Sequence, residues 1–160
     1  MNIIMNYDQK SLLLSLMKSS KTASLGTCKE NQPYVSLTPY SCKENFTEFY
    51  IHISKLAVHT KNITDNSKVS LMISQSEDTN TNPLSLARVT LTGNALEVGR
   101  ADINYNSIKE NYLKKYPTAE LLFNLDDFHI YKIEIEHGRY IAGFANTFNL
   151  TKQSLESLEK

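Results

Sequence analysis

The spacing of apolar residues changes along the chain from a helical period to the alternation of strands. Residues 7–19 carry an apolar stripe at helical spacing, which predicts an N-terminal helix. From residue 22 onward, segments rich in β-branched and aromatic residues predict strands. The predicted strands cover residues 22–28, 34–41, 48–53, 68–74, 87–98 and 128–136. Further helices are predicted for residues 103–116 and from Thr151, where Thr151 and Ser154 offer capping chemistry.

Short polar turns join most of the predicted strands. Residues 29–32 and 43–45 are such turns, and Gly138 is expected to mark another after the strand FHIYKIEIE. Consecutive strands joined by short turns favour an antiparallel sheet that closes into a barrel. The pattern therefore predicts a mainly β fold with flanking helices (α+β) and six to seven strands.

The length and charge of the chain limit the kinds of protein that it can be. A chain of 160 residues fits one domain, which we divide into an N-terminal helix (1–20), a barrel core (21–144) and a C-terminal tail (145–160). Seventeen basic and seventeen acidic residues balance, which argues against a general nucleic-acid-binding protein. The sequence shows no signal-peptide pattern and no apolar run of membrane-spanning length. We therefore expect a cytoplasmic protein that does not enter a membrane.

The segment SKLAVHTKNI, residues 54–63, concentrates hydroxyl groups and cations where a strand gives way to a helix. The residues concerned are Ser54, Lys55, His59, Thr60 and Lys61. A helix N-terminus has unpaired N–H groups and a partial positive charge, so it attracts anions. Ser54 is expected to cap the helix or to bind the ligand. Helical spacing places Lys55, His59 and Asn62 on one face, and Leu56 and Ile63 on another that packs on the barrel.

Two interpretations of this segment stay open on spacing alone. It is either a cradle for a cofactor phosphate or a capped surface helix whose Lys55 and Lys61 are solvated. Arg88 is a second candidate because it interrupts a strand of Val, Leu and Thr. Its guanidinium either contacts the polar edge of a cofactor or forms a salt bridge at the rim of the sheet.

The motifs of several common enzyme classes are missing from the sequence. GxSxG, the P-loop and GxGxxG do not occur, so no catalytic residue is assigned. HxH and HExxH are also missing, and the two cysteines, Cys28 and Cys42, lack the spacing of a zinc site. We expect no metal-ion site built from these motifs, and both thiols to be reduced.

Four stretches that follow one another through residues 22–144 carry a family resemblance. They are TASLGTCKENQPYVSLTPY, FYIHISKLAVHTKNITDNSKVSLMI, NPLSLARVTLTGNALEV and DFHIYKIEIEHGRYIAGF. Together they resemble the pyridoxamine-5′-phosphate-oxidase-like family of FMN-binding split β-barrels. The combination of SxLAxHTxN, PLxxxRxTLTG and GRYIxGF is most similar to the haem-utilisation (HugZ/HutZ-like) branch of that family.

The resemblance implies a homodimer with two cofactor sites at the subunit interface. In flavin-binding relatives, the segment matching Ser54–Lys61 holds the FMN phosphate, and the position matching Arg88 lies near the isoalloxazine ring. In the haem branch, the positions matching Thr22, His59, Arg88 and Asp127 lie at or near the haem. A hydrogen bond between Thr22 and Asp127 across the subunits is implied, and the alternative is that this pair only stabilises the dimer.

The chain departs from the family in three places. Haem-degrading members use a C-terminal histidine as iron ligand, but the tail ANTFNLTKQSLESLEK contains none. His59, His129 or Tyr140 would have to replace it. Ala145 stands where the branch has a glycine in its GGFG pattern. The C-terminal Arg- and His-containing segment that binds substrate in pyridoxamine-phosphate oxidase itself has no counterpart.

Three functions follow as hypotheses. The first is an FMN-binding flavoprotein, and so an oxidoreductase, in which the flavin carries the redox chemistry. The second is a haem-binding or haem-degrading protein of iron acquisition, whose Lys55, Lys61 or Arg88 pairs with the propionates. The third is a dimeric binding protein that has kept the barrel without a cofactor, because fold alone does not fix function.

Overall fold

The computed structural model of the protein describes residues 5–144 and 146–158. In chain order its elements are α1 (Tyr7–Ser19), β1 (Thr22–Lys29), β2 (Gln32–Pro39), β3 (Ser41–Cys42), β4 (Glu48–Ser54), α2 (Val58–Asp65), β5 (Lys68–Ser74), β6 (Arg88–Val98), α3 (Tyr105–Lys115), β7 (Phe128–Ile141), β8 (Thr147–Thr151) and α4 (Lys152–Glu156). Two 3₁₀ segments, Pro83–Ser85 and Pro117–Asn124, lie between strands.

The strands of the described chain form one antiparallel sheet. Its order is β2-β1-β5-β6-β7-β4-β3, and β8 joins it by pairing with β7. Along one edge β7 pairs with β6, and along the other it pairs first with β4 and then with β8. This confirms the predicted mainly β fold and antiparallel split barrel with flanking helices, with eight strands in place of six to seven.

The pairing of β6 with β7 changes register at Gly93. Thr92 pairs with His137 and Gly93 with Ile135, so Glu136 is an extra residue on β7. This irregularity lies where β7 exchanges β4 for β8 as its second neighbour. A Cβ atom on Gly93 would lie 1.9 Å from the carbonyl oxygen of Glu134. The close approach explains why a glycine is needed at this point.

The main core fills the interior of the curled sheet. Leu13, Leu16 and Met17 of α1 are buried against the inward-facing residues of the strands. The chain beyond residue 144 also enters this core, through Phe148 and Leu150 of β8, and through Leu155.

A second apolar cluster lies on the outer side of β4, β6 and β7, under α3 and the 3₁₀ segment Pro117–Asn124. Within it, His52 is only 5% exposed, and its ring stacks on Phe123 at 3.8 Å between centroids and 8° between planes. Tyr112 and Phe128 contact the same ring at 5.9 and 5.4 Å between centroids. Neither ring nitrogen of His52 has a hydrogen-bond partner among the described residues.

The structure corrects two boundaries expected from the sequence. The helix expected from Ser54 begins at Val58, since Ser54 still belongs to β4. Gly138 is not a turn, because β7 continues through it to Ile141. The leading helix, the fourth predicted strand (68–74) and the Thr151–Ser154 capping box are confirmed.

The expectations about membrane-spanning helices, the cysteines, the domain division and the location have the following outcomes. None of the helices in the described ranges is long and apolar enough to cross a membrane. Neither Cys28 nor Cys42 is part of a disulfide in the described chain, as expected. The division into 1–20, 21–144 and 145–160 and the cytoplasmic location stay predictions, and the departure at Ala145 lies outside the described residues.

Candidate functional site

The end of β4 and the start of β7 meet because Ser54 pairs with Phe128. The Ser54 hydroxyl donates to Oδ2 of Asp127 at 2.5 Å and accepts from the Leu56 N–H at 3.1 Å. The Lys55 N–H donates to the Asp127 carbonyl at 2.7 Å. Asp127 therefore holds the turn that leads into α2 through both its carboxylate and its backbone.

The N-terminus of α2 has no side-chain cap. Ala57 occupies the capping position, and the first turn contains no acidic residue. The first N–H groups of the helix therefore lack the carboxylate or hydroxyl that usually satisfies them, which favours an anion nearby. The expectation that Ser54 caps the helix is wrong, because its hydroxyl stabilises the preceding turn instead.

The cationic face predicted for this segment does not form. Asn62 is buried and donates through Nδ2 to the Thr27 hydroxyl of β1 at 3.0 Å. Lys55 lies before the helix and forms an ion pair with Glu97 at 3.4 Å. Lys61 is exposed on the helix surface. Asn62 therefore attaches α2 to the sheet and does not face a ligand.

The apolar face of α2 forms only in part. Ile63 is buried in the main core, but Leu56 is 73% exposed, contrary to expectation. Thr60 is buried and its hydroxyl donates to the Ser54 carbonyl at 2.6 Å. Thr60 therefore fixes the helix to the end of β4 through the proton of its hydroxyl.

His59 has one engaged and one unengaged ring nitrogen. Its Nδ1 lies 3.0 Å from the Ser36 hydroxyl of β2. Its Nε2 is buried and has no hydrogen-bond partner in the part of the chain that the structure describes. Burial lowers the pKa of His59, which favours the neutral form of the ring. Sequence reasoning did not single out Ser36. The resemblance implied cofactor contacts from the strand of residues 35–40, and the alternation of β2 places Ser36 opposite to Val35 and Leu37.

The other two candidate iron ligands are engaged. His129 contacts Glu97 through Nδ1 at 2.7 Å and the Asp126 carbonyl through Nε2 at 2.9 Å. Tyr140 is fully buried and donates its hydroxyl to the Gln9 carbonyl at 3.1 Å. Of the three side chains proposed from the sequence, only His59 therefore has a ring nitrogen without a partner.

Arg88 and Asp127 lie at opposite ends of the sheet. Arg88 opens β6 and pairs with Ile141, whereas Val98 at the other end of β6 pairs with Ile130, near the start of β7. A strand of this length spans about 35 Å along its path. The Arg88 guanidinium donates to the Leu86 carbonyl at 3.0 Å, so the rim salt bridge is not what holds it.

Thr22 lies at the same end of the sheet as Arg88. It begins β1, pairs with Pro39 and is exposed. Within one chain the Asp127 carboxylate accepts from Ser54 and not from Thr22. We divide the eight candidate residues into two groups. Thr22 and Arg88 share one end of the sheet, and the other six lie around Asp127 and α2; Arg88 and Asp127 are the pair that the length of the strands separates.

The outer face of β1, β2 and β5 is open. Val35 and Leu37 of the edge strand β2 are each 68% exposed. A shallow pocket of about 460 Å³ extends from Val35 across Gly26 to Ser70 of β5. Small residues on β1 and β5 allow another surface to approach the sheet closely here.

Comparisons with known proteins extend these observations. The family model described as "CREG, beta-barrel" matches residues 13–155. The chloroplastic non-canonical haem oxygenase HOZ of Arabidopsis thaliana is 28% identical over 91% of this chain and 46% of its own length. The haem oxygenase HutZ of Vibrio cholerae is 24% identical over 84% of this chain and 77% of its own length. The chain thus spans about half the length of the first of these relatives.

Solved structures share the fold. A haem-binding protein from Mycobacterium smegmatis superposes with a TM-score of 0.82 at 19% identity, over 96% of this chain and 62% of that chain. A Listeria innocua protein named after pyridoxamine 5′-phosphate oxidase gives a TM-score of 0.62 at 18% identity, over 84% and 98%. The expected likeness to the pyridoxamine-phosphate-oxidase-like fold is confirmed.

Proposed function

The chain belongs to the CREG β-barrel family, whose model covers residues 13–155, and we propose that it binds haem in a site completed by a second copy of the chain. Both curated relatives are named haem oxygenases. The chain spans only 46% of the first relative, so breakdown of haem is part of the proposal. The haem alternative therefore has more support than the FMN-dependent oxidoreductase.

The unengaged Nε2 of His59 is the observation that carries this proposal. A buried imidazole nitrogen without a partner costs free energy unless a ligand satisfies it, and a neutral imidazole is a common axial ligand of haem iron. The Ser36 hydroxyl orients the ring through Nδ1. We assign His59 as an iron ligand. Bound haem would supply an iron centre able to bind oxygen.

Cations in both groups suit the haem propionates. Lys61 is exposed on α2, Lys55 is half-exposed beside Glu97, and the Arg88 guanidinium is held at the Leu86 carbonyl. Arginine and lysine bind carboxylates through charge-assisted hydrogen bonds. Their role would be to orient the porphyrin, with no part in the chemistry.

The separation of the two groups supports a homodimer. Arg88 lies far from Asp127 in one chain, so one compact site containing both needs residues from two copies. The exposed Val35 and Leu37 offer an apolar surface for such an association. We propose that Thr22 of one copy then reaches Asp127 of the other.

FMN is the second candidate, favoured by the uncapped N-terminus of α2. Free N–H groups at a helix start suit a phosphate monoester, and Lys55 and Lys61 add positive charge nearby. A preference for FMN over haem in binding would support this alternative. A chain that binds neither would be the cofactor-free dimeric protein.

Titration with haem tests the proposed ligand. We expect the wild-type chain to shift the Soret band of added haem, and His59→Ala to weaken the affinity by about tenfold or more, since it removes the iron ligand. His137→Ala, which changes an exposed histidine of β7, is the matched control and should bind as the wild type does. Equal affinity in all three proteins would contradict the assignment of His59.

Mixing two defective variants tests the shared site. His59→Ala and Arg88→Ala each remove one group, and a random mixture of their chains forms mixed dimers in about half of the molecules. Each mixed dimer would contain one intact site, so about a quarter of the sites should bind haem at wild-type affinity. A stoichiometric haem titration after co-refolding measures this fraction. No recovery would show that one chain supplies the whole site.

A further inference from the structure

A basic pocket lies on the side of the molecule where α1, β3 and α3 meet. It has a volume of about 310 Å³. Its lining residues are Lys18, Ser41, Cys42, Asn111, Lys114 and Lys115. Three of the six are lysines, and the described lining contains no carboxylate. None of these residues belongs to the two groups assigned to haem.

Lys115 is a cation with its charge partly removed from water. Its ammonium lies 4.0 Å from the centroid of the Tyr40 ring and 5.7 Å from that of Tyr116. Burial lowers the pKa of this lysine. Neither Lys114 nor Lys115 forms an ion pair with a carboxylate of the described residues. The aromatic contacts and the nearby Cys42 offset part of this loss of hydration for Lys115.

Ser41 adds a buried polar group at the same place. The residue is 3% exposed and lines the pocket. Its hydroxyl has no hydrogen-bond partner within residues 5–144 and 146–158. A buried hydroxyl without a partner is costly, and a bound acceptor would remove this cost. Asn111 donates to the Cys42 carbonyl at 3.1 Å, which ties α3 to β3 and keeps the pocket's walls together.

We propose that this pocket is a binding site for a phosphate-type oxyanion, carried by a small phosphorylated metabolite. Several oxygen atoms on one compact anion would accept from the Ser41 hydroxyl and from the ammonium groups of Lys114 and Lys115 at once. A volume of about 310 Å³ exceeds what inorganic phosphate fills and leaves space for a small organic group.

The competing explanation is that the lysines only offset helix dipoles. Lys18 lies in the last turn of α1, and Lys114 and Lys115 lie in the last turn of α3, where cations are favourable without any ligand. That explanation accounts for the positions of the lysines in sequence. It does not account for the buried, unpartnered hydroxyl of Ser41 between the two helix ends.

Site-resolved NMR with inorganic phosphate separates the two explanations. At constant ionic strength, we expect the backbone amide signals of Ser41, Cys42 and Lys115 to shift and saturate, with a dissociation constant on the order of 1 mM. Lys114→Gln should weaken this affinity by about tenfold. Lys109→Gln, in the same helix over the Phe123 ring, should leave it unchanged.

Several outcomes would overturn the proposal. Shifts that match those from equimolar chloride would mean screening without a site. Equal affinities in the wild type and Lys114→Gln would mean that the lysines do not bind the anion. Saturation confined to amides of α2, and abolished by Lys61→Gln, would place the only phosphate site at the proposed cofactor position. Because Lys114 is exposed, its substitution leaves the packing of the fold unchanged.

Discussion

Gly93→Ala is expected to destabilise the fold by about 3 kcal/mol or more. The new methyl would lie 1.9 Å from the carbonyl oxygen of Glu134, 2.8 Å from its carbonyl carbon and 3.1 Å from the Cα of Ile135. All three atoms belong to the backbone of β7, so no side-chain rotation relieves the clash. Relief requires β6 and β7 to separate at the register change, which breaks the central pairing of the sheet.

Two other glycines provide controls for this prediction. Gly99→Ala places its methyl in open space, with no atom within 4 Å, and should change stability by less than about 0.5 kcal/mol. Gly138→Ala would approach the side chains of Leu91 and Leu150 at 2.9 and 3.1 Å. Because side chains can move, its cost should fall between the other two. Urea unfolding measures the series, and a Gly93→Ala cost near that of Gly99→Ala would contradict the reasoning.

The second large expected effect is a loss of stability at acidic pH, caused by protonation of the buried His52. Burial is the main reason that the pKa of this imidazole falls from its usual value near 6.5 to about 4. The positive charges of His129, Lys109 and Arg100 lower this pKa further. The folded protein therefore keeps the His52 ring neutral between Phe123 and its other aromatic neighbours.

The direction of the pH effect follows from linkage. The unfolded chain takes up a proton at His52 near pH 6.5, while the folded chain resists it until about pH 4. Stability therefore falls as the pH drops below 6.5, and this contribution is fully lost below about pH 4. The loss amounts to about 3 kcal/mol, since each tenfold change in proton affinity corresponds to about 1.4 kcal/mol.

A substitution isolates this contribution from that of the carboxylates. His52→Phe keeps an aromatic ring against Phe123 but cannot take up a proton, and His52→Leu guards against poor fit of the larger ring. In urea titrations at pH 7, 5.5 and 4, the free energy of unfolding of the wild type should fall relative to that of each variant as the pH falls. Parallel curves would show that other groups carry the acid sensitivity.

The sequence predicted secondary structure correctly where the local pattern of apolar residues agrees with their burial in the fold. Residues 68–74 alternate strictly between buried and exposed positions, and β5 has the predicted bounds. The stripe within residues 7–19 likewise gives α1, whose Leu13, Leu16 and Met17 are buried as expected. Leu12 is partly exposed, because a helix on the surface of a barrel buries only one side.

The predictions were wrong where the role of a residue depends on a contact with a residue distant in sequence. Gly138 is a residue type that is common in turns, but here it makes room for Leu91 and Leu150 on the strands beside it. Ser54 is a residue type that often caps helices, but its hydroxyl donates to Asp127, which is far along the chain. The neighbours of Gly138 and of Ser54 are brought close by the pairing of strands that are distant in sequence, which the local spacing of residues cannot reveal.

The sequence named candidate residues for the site but not how they are arranged. The segment of residues 54–61 and Asp127 come together, which no spacing argument could show, because β4 and β7 are adjacent only in the sheet. The partners Ser36 and Glu97 were missed, since each acts through a single side-chain contact. Whether Thr22 and Asp127 meet across subunits stays a prediction.

The order of strands has a consequence for how the protein is made. β4 is finished at Ser54, but its main partner begins only at Phe128. At about 5–20 residues per second, a ribosome leaves the apolar residues of β4 without that partner for several seconds. During this interval β1 and β2 can already form their hairpin, because their register needs only a short turn. The nascent chain therefore passes through a stage with an exposed β4, the stage at which chaperones would be most needed.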